Sequence, residues 1–136
     1  MGSLTVFLVE DNPLIRAHLI PALQDLAGAQ VLAIAESEGE AVGWLAGHKG
    51  GWDLAVVDLF LKEGTGLGVV NWTFGRLARQ KVAVLTNYAT DETRILCRRA
   101  GADAIFDKSY ELDQFFDYCQ RLSTPDAGTG VDPRAP

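Results

Sequence analysis

Four short apolar runs, each stopping at a polar residue, constrain this chain more than any other feature. Val6-Phe7-Leu8-Val9 runs into Glu10 and Asp11, Leu54-Ala55-Val56-Val57 into Asp58, Val82-Ala83-Val84-Leu85 into Thr86, and Ala104-Ile105-Phe106 leads to Lys108. Runs of this length and character read as buried parallel strands, and the C-terminal ends of such strands form the ligand-binding rim of an open α/β sheet. Three carboxylates, one hydroxyl and one ammonium would therefore meet on one edge. Each alone has an ordinary explanation as a helix cap, a helix-start charge or plain surface.

Between these runs the periodicity turns helical, giving five strand-helix units in all. Asn12 can cap the first helix with Pro13 in its first position, and Pro21 inside it predicts a bend. A second strand is expected over 31–35 and a helix over 38–46, stopped by Gly47. The loop 59–66 carries Gly64 and Gly66, which permit positive φ, and a glycine-spotted helix is expected over 67–77. Thr90 and Asp91 open the fourth helix, Gly101 stops it, and Leu112, Phe115, Phe116, Cys119 and Leu122 form the apolar stripe of a fifth.

This alternation predicts an α/β fold: a doubly wound, five-stranded parallel sheet with helices on both faces. One domain is expected over 1–123, with a disordered tail over 124–136 where Pro, Gly, Asp and Thr replace hydrophobic periodicity.

The 136 residues are enough for one self-sufficient core. A net charge of −6 argues against direct nucleic-acid binding through a broad phosphate-contacting face. No apolar stretch is long enough to span a bilayer, and no signal sequence is expected before the first strand. Cys97 and Cys119 are isolated from each other and from any metal-ligand spacing, so both read as reduced, buried thiols, and the expected location is cytoplasmic.

If the first and third strands are neighbours, Glu10, Asp11 and Asp58 share a pocket and repel one another. A hard divalent cation resolves that repulsion: Mg²⁺, or Mn²⁺ in its place, takes oxygen ligands from one or two carboxylates plus phosphate. Lys108 beside them would stabilise incoming phosphoryl charge, Asp58 would be the nucleophile, and the Thr86 hydroxyl would donate to a phosphoryl oxygen.

These residues in this order, with Gly64-Thr65-Gly66-Leu67 behind Asp58-Leu59 and Ala100-Gly101-Ala102-Asp103 ahead of Lys108, resemble the receiver domain of two-component response regulators. The resemblance implies a flavodoxin-like (βα)5 fold with strand order 2-1-3-4-5, and a phosphorylation-activated switch accepting a phosphoryl group on Asp58 from a sensor histidine kinase or a histidine phosphotransfer protein. It further implies Mg²⁺ held by Asp11, Asp58 and the Phe60 backbone carbonyl, with Glu10 acting through water. Lys108 would pair with Asp58 and then with the phosphoryl group, Thr86 would swing toward it, and output would pass by protein contact to a downstream target through the fourth helix, fifth strand and fifth helix.

The chain departs from that pattern at several positions. Ser109 replaces the proline that usually follows the lysine, which predicts a trans bond or a strained loop. Ile105 occupies the place of the family's switch aromatic, with Phe106 one residue later. Phe60 and Tyr88 stand where small polar side chains often govern water access, so aromatic bulk would shield the acyl phosphate. Lys62 replaces a frequent proline, which predicts a looser loop.

Rival readings are weighed on the same residues. An aspartyl-phosphate phosphatase of the haloacid-dehalogenase type needs a general acid two residues after its nucleophile, and Phe60 is there instead. A phosphorylation-independent receiver-like interaction domain is disfavoured by the intact acidic pair, Asp58, Thr86 and Lys108. A receiver fragment of a longer regulator remains a third reading. Arg94 and Arg98 read as a solvated helix face, Trp44, Trp52 and Trp72 as covers for core edges, and His18 and His48 as neither ligands nor bases.

Overall fold

The computed structural model describes residues 3–123, so the expected tail over 124–136 lies outside it. Its elements are β1 (Thr5–Val9), α1 (Pro13–Ala27), β2 (Gln30–Ala35), α2 (Glu38–Ala46), β3 (Leu54–Asp58), α3 (Gly66–Trp72), β4 (Lys81–Thr86), α4 (Asp91–Ala100), β5 (Ala104–Asp107) and α5 (Leu112–Ser123). The sheet is parallel throughout, in the order β2-β1-β3-β4-β5. That is the doubly wound sheet the alternating runs predict, in the flavodoxin-like order the resemblance implies.

Between their end residues the three central strands are apolar without interruption, because both faces of the sheet are covered. Phe7, Val9, Ala55, Val57, Val82 and Val84 face one core with α2, α3 and α4. Val6, Leu8, Leu54, Val56, Ala83 and Leu85 face the other with α1 and α5. Cys97 and Cys119 are buried free thiols, one in each core.

Local signals set the helix ends. The Asn12 side chain accepts from the Leu14 and Ile15 amides, and α1 continues through Pro21 to a left-handed cap at Gly28. Thr90 caps α4 through the Thr93 amide, and Gly101, with φ of 112°, ends it.

Several expectations need correction. The helix expected over 67–77 stops at Trp72 and gives way to a 3₁₀ turn over Thr73–Gly75, since glycines within so short an apolar segment leave little to sustain it. Of the two loop glycines only Gly64 has positive φ; Gly66 is needed because a Cβ there would overlap the Asp58 carbonyl. Trp72 is 41% exposed, whereas Trp52 is buried and Trp44 stacks between Phe7 and His48. The expected trans bond between Lys108 and Ser109 is present, with no cis peptide bond among the described residues.

Arg94 is not a solvated face. Its guanidinium donates to the Ala89 and Ile105 carbonyls and pairs with Glu111 at 3.0 Å, tying the loop after β4 to β5 and to the start of α5. Glu111 also accepts from the Asp107 amide, and the hydrogen bond from Arg94 is the main reason its carboxyl is held below the usual range.

Candidate phosphoryl-acceptor and metal site

Register delivers the acidic residues to one place. Val9 pairs with Val57, so the chain leaves β1 at Glu10 beside the point where β3 ends at Asp58. Carboxylate oxygens of Glu10, Asp11 and Asp58 all lie within 4.8 Å of one another. Lys108, just beyond β5, reaches in from the opposite side, its Nζ 2.9 Å from Glu10 Oε1 and 3.2 Å from Asp58 Oδ2.

One ammonium among three carboxylates leaves excess negative charge in a poorly solvated place. Glu10 is 2% exposed and Asp58 7%. Burial drives the Asp58 carboxyl up to about 6; the Lys108 charge opposes that shift and the Glu10 charge adds to it. A group so perturbed, on a sheet edge with convergent charges, is a functional candidate on physical grounds. The excess charge, the all-oxygen donor set and the half-exposed Asp11 fit a hard divalent cation.

The remaining backbone is anchored around this pocket. Glu10 Oε2 accepts from the Asn12 amide at 3.1 Å, and Arg16 donates to the Glu10 carbonyl at 2.9 Å while pairing with Glu36. Asp58 Oδ1 accepts from the Phe60 amide at 3.3 Å. Asp11 Oδ2 accepts from the Lys62 amide at 2.6 Å, a bond a proline could not make. The loop that sequence predicts to be loose is thus tied to the acidic pair through the very residue that replaces proline.

Thr86 is fully buried at the end of β4, its hydroxyl accepting from the Tyr88 amide at 3.1 Å and its carbonyl from the Lys108 amide at 2.9 Å. Phe60 and Tyr88, both exposed, meet edge to face with ring centroids 5.1 Å apart. Ile105 is buried in the α4 side of the core, whereas Phe106 packs on the other side against Phe115 and Tyr118. His18 and His48 lie outside the acidic cluster.

Three participants escape sequence reasoning: Arg16, the Lys62 amide and Glu38. Glu38 Oε1 accepts from the Thr65 amide, and a Cβ on Gly64 or Gly68 would overlap its side chain. A pair of glycines four apart after Asp58 is the signal that another side chain is seated there.

The sheet order and the acidic pocket at its C-terminal edge define a class, the flavodoxin-like receiver fold. Residues 6–120 match the response regulator receiver domain family, and the chain belongs to it. The transcriptional regulatory protein PhoP of Escherichia coli K12 is 32% identical over 123 residues, covering 90% of this chain and 53% of that protein. The virulence transcriptional regulatory protein PhoP of Salmonella typhimurium LT2 is 33% identical over the same shares. The chain therefore spans about half the length of the curated relatives it matches. A response regulator from Thermotoga maritima superposes with a TM-score of 0.72 at 25% identity, covering 90% of this chain and 99% of that one. The BeF3-activated receiver domain of Klebsiella pneumoniae RstA shares the fold, with a TM-score of 0.75 at 20% identity over 90% of this chain and 99% of that one.

The chain is thus a receiver domain of the two-component signalling class, a signalling domain rather than a conventional enzyme. Among its described residues no helix is long and apolar enough to cross a membrane.

Proposed function

We propose that Asp58 is the phosphoacceptor and that the domain takes its phosphoryl group from the phosphohistidine of a sensor kinase or phosphotransfer protein. The observation that supports this most is the placement of Lys108 Nζ between Glu10 and Asp58 at the strand ends. An Asp58 carboxylate oxygen attacks phosphorus, the new O–P bond forms as the P–N bond to imidazole breaks, and the imidazole leaves with that electron pair. Lys108 turns from its carboxylate partners to the transferred phosphoryl oxygens, and Thr86 exchanges its contact with the Tyr88 amide for one to the same group.

Asp11, Asp58 and the Phe60 carbonyl would hold Mg²⁺, with Glu10 acting through water. When bound, the cation supplies positive charge against the phosphoryl oxygens and offsets the carboxylate repulsion. Mn²⁺ offers the same oxygen chemistry.

Movement of Thr86 would pull on the segment Asn87 to Ala89, which Arg94 ties to β5 and α5, so the α4-β5-α5 face is the output surface toward a downstream protein. A longer regulator is a second reading, favoured by the chain's covering 53% of PhoP; there the same face would signal to the rest of the polypeptide. The test is incubation with acetyl phosphate in Mg²⁺ or in excess chelator. A hydroxylamine-labile phosphoryl adduct should form only with the cation, and an adduct of equal yield in chelator would overturn the metal-assisted assignment.

A further inference from the structure

We infer that Glu38, at the start of α2, is a positioning residue for the metal side of this site, an inference that rests on the phosphoacceptor reading above. Its carboxylate is seated between Gly64 and Gly68, where side chains would exclude it, and Gly64 has a φ of 79°. From that seat Oε1 accepts the Thr65 amide at 2.9 Å, and the Glu38 amide donates back to the Glu63 carbonyl at 3.1 Å. Two reciprocal bonds thus join the N-terminus of α2 to the loop between β3 and α3.

That loop carries the proposed backbone ligand. Thr65 forms an antiparallel bridge with Phe60, and the Gly66 amide donates to the Leu59 carbonyl at 2.9 Å. Glu38 is therefore one hydrogen bond and one bridge away from the Phe60 carbonyl. Elsewhere the loop is held by Asp11, whose Oδ2 accepts from the Lys62 amide. Asp58 Oδ1 also accepts from the Phe60 amide at 3.3 Å, so both of these anchors are proposed metal ligands, and Glu38 is a side-chain anchor of the loop from outside that set. The usual stiffening proline is absent at position 62, and Glu38 supplies the restraint from a different element.

Three variants test this: Glu38→Ala, which removes the acceptor; Glu38→Gln, which keeps an acceptor oxygen; and Gly68→Ala, which evicts the carboxylate while adding a better helix former. Mg²⁺ affinity is read from thermal shift and from the half-saturating Mg²⁺ for acetyl-phosphate labelling, with circular dichroism to confirm folding. Glu38→Ala and Gly68→Ala should each weaken Mg²⁺ binding on the order of tenfold, the size seen when an outer partner of a metal ligand is lost. The labelling rate at saturating Mg²⁺ should stay unchanged, and Glu38→Gln should restore most of the affinity. Wild-type affinity in both Glu38→Ala and Gly68→Ala, or a loss in Glu38→Gln equal to that in Glu38→Ala, would overturn the inference. Weakened Mg²⁺ binding in a protein that takes up no phosphoryl group would leave Glu38 in place and remove Asp58 from its role.

Discussion

Phe60 and Tyr88 touch edge to face across the ends of the strands that carry Asp58 and Thr86, with ring centroids 5.1 Å apart. Each lies two residues beyond its strand's last polar side chain, Asp58 and Thr86.

Hydrolysis of an acyl phosphate needs a water in line with the breaking bond, and we propose that this ring pair narrows its path. Replacing Phe60 with Asn and Tyr88 with Glu should speed the decay of purified phosphoprotein several-fold, since each ~1.4 kcal/mol of barrier is tenfold in rate. Decay is followed by intact mass at fixed Mg²⁺. Unchanged or slower decay in the double variant would refute the shielding.

Asp58 also makes metal-free stability depend on pH. Its folded carboxyl, raised to about 6, binds its proton more tightly than the unfolded one, so the linked contribution is destabilising. The penalty is absent below about pH 4, grows as pH rises toward 6, and is complete above that, where it reaches about 3 kcal/mol. Asp58→Asn should therefore raise the melting temperature by several degrees at pH 7.5 in chelator and by much less at pH 4. An equal shift at both pH values would contradict the assignment of the charge strain to Asp58.

Asp11→Asn should abolish the response to Mg²⁺. A ligand at ten times its Kd stabilises a fold by about 1.4 kcal/mol, so the wild type should melt measurably higher in Mg²⁺ while the variant should not. Without metal, the variant should melt at or above the wild type because one of three clustered carboxylates is gone. A persistent Mg²⁺ shift in Asp11→Asn would place the cation elsewhere.

Arg94→Ala should cost about 2 kcal/mol, because it leaves the Ala89 and Ile105 carbonyls without their donor and Glu111 without its partner. Urea denaturation measures the loss. A change within about 0.5 kcal/mol, as for an ordinary surface position, would mean the three ties contribute nothing to the fold.

The acidic pocket was legible in sequence because its members end apolar runs: once the runs are parallel strands, Glu10, Asp58, Thr86 and Lys108 have nowhere to go but the same edge. The doubly wound parallel sheet is legible in the same alternation, whereas its strand order is implied by the resemblance to receiver domains. What stayed hidden depends on placement in three dimensions. Arg94 looks like any exposed helical arginine until β5 and the start of α5 are packed beside it. Lys62 suggests a loose loop because it lacks the rigid ring of proline, whereas its backbone amide, which a proline would not have, makes the bond to Asp11. Glu38 lies 27 residues before Thr65, and only the folded chain brings that carboxylate to its glycine seat. The break of α3 at Trp72 reflects the weak helical preference of glycine, which sequence showed without fixing where the helix would end.

Intact-mass analysis after incubation with acetyl phosphate and Mg²⁺ tests the central claim most directly. The wild type should gain one phosphoryl group and Asp58→Asn none, because an amide is not a competent nucleophile for this transfer. Equal labelling of the two proteins would contradict the assignment of Asp58 as the acceptor.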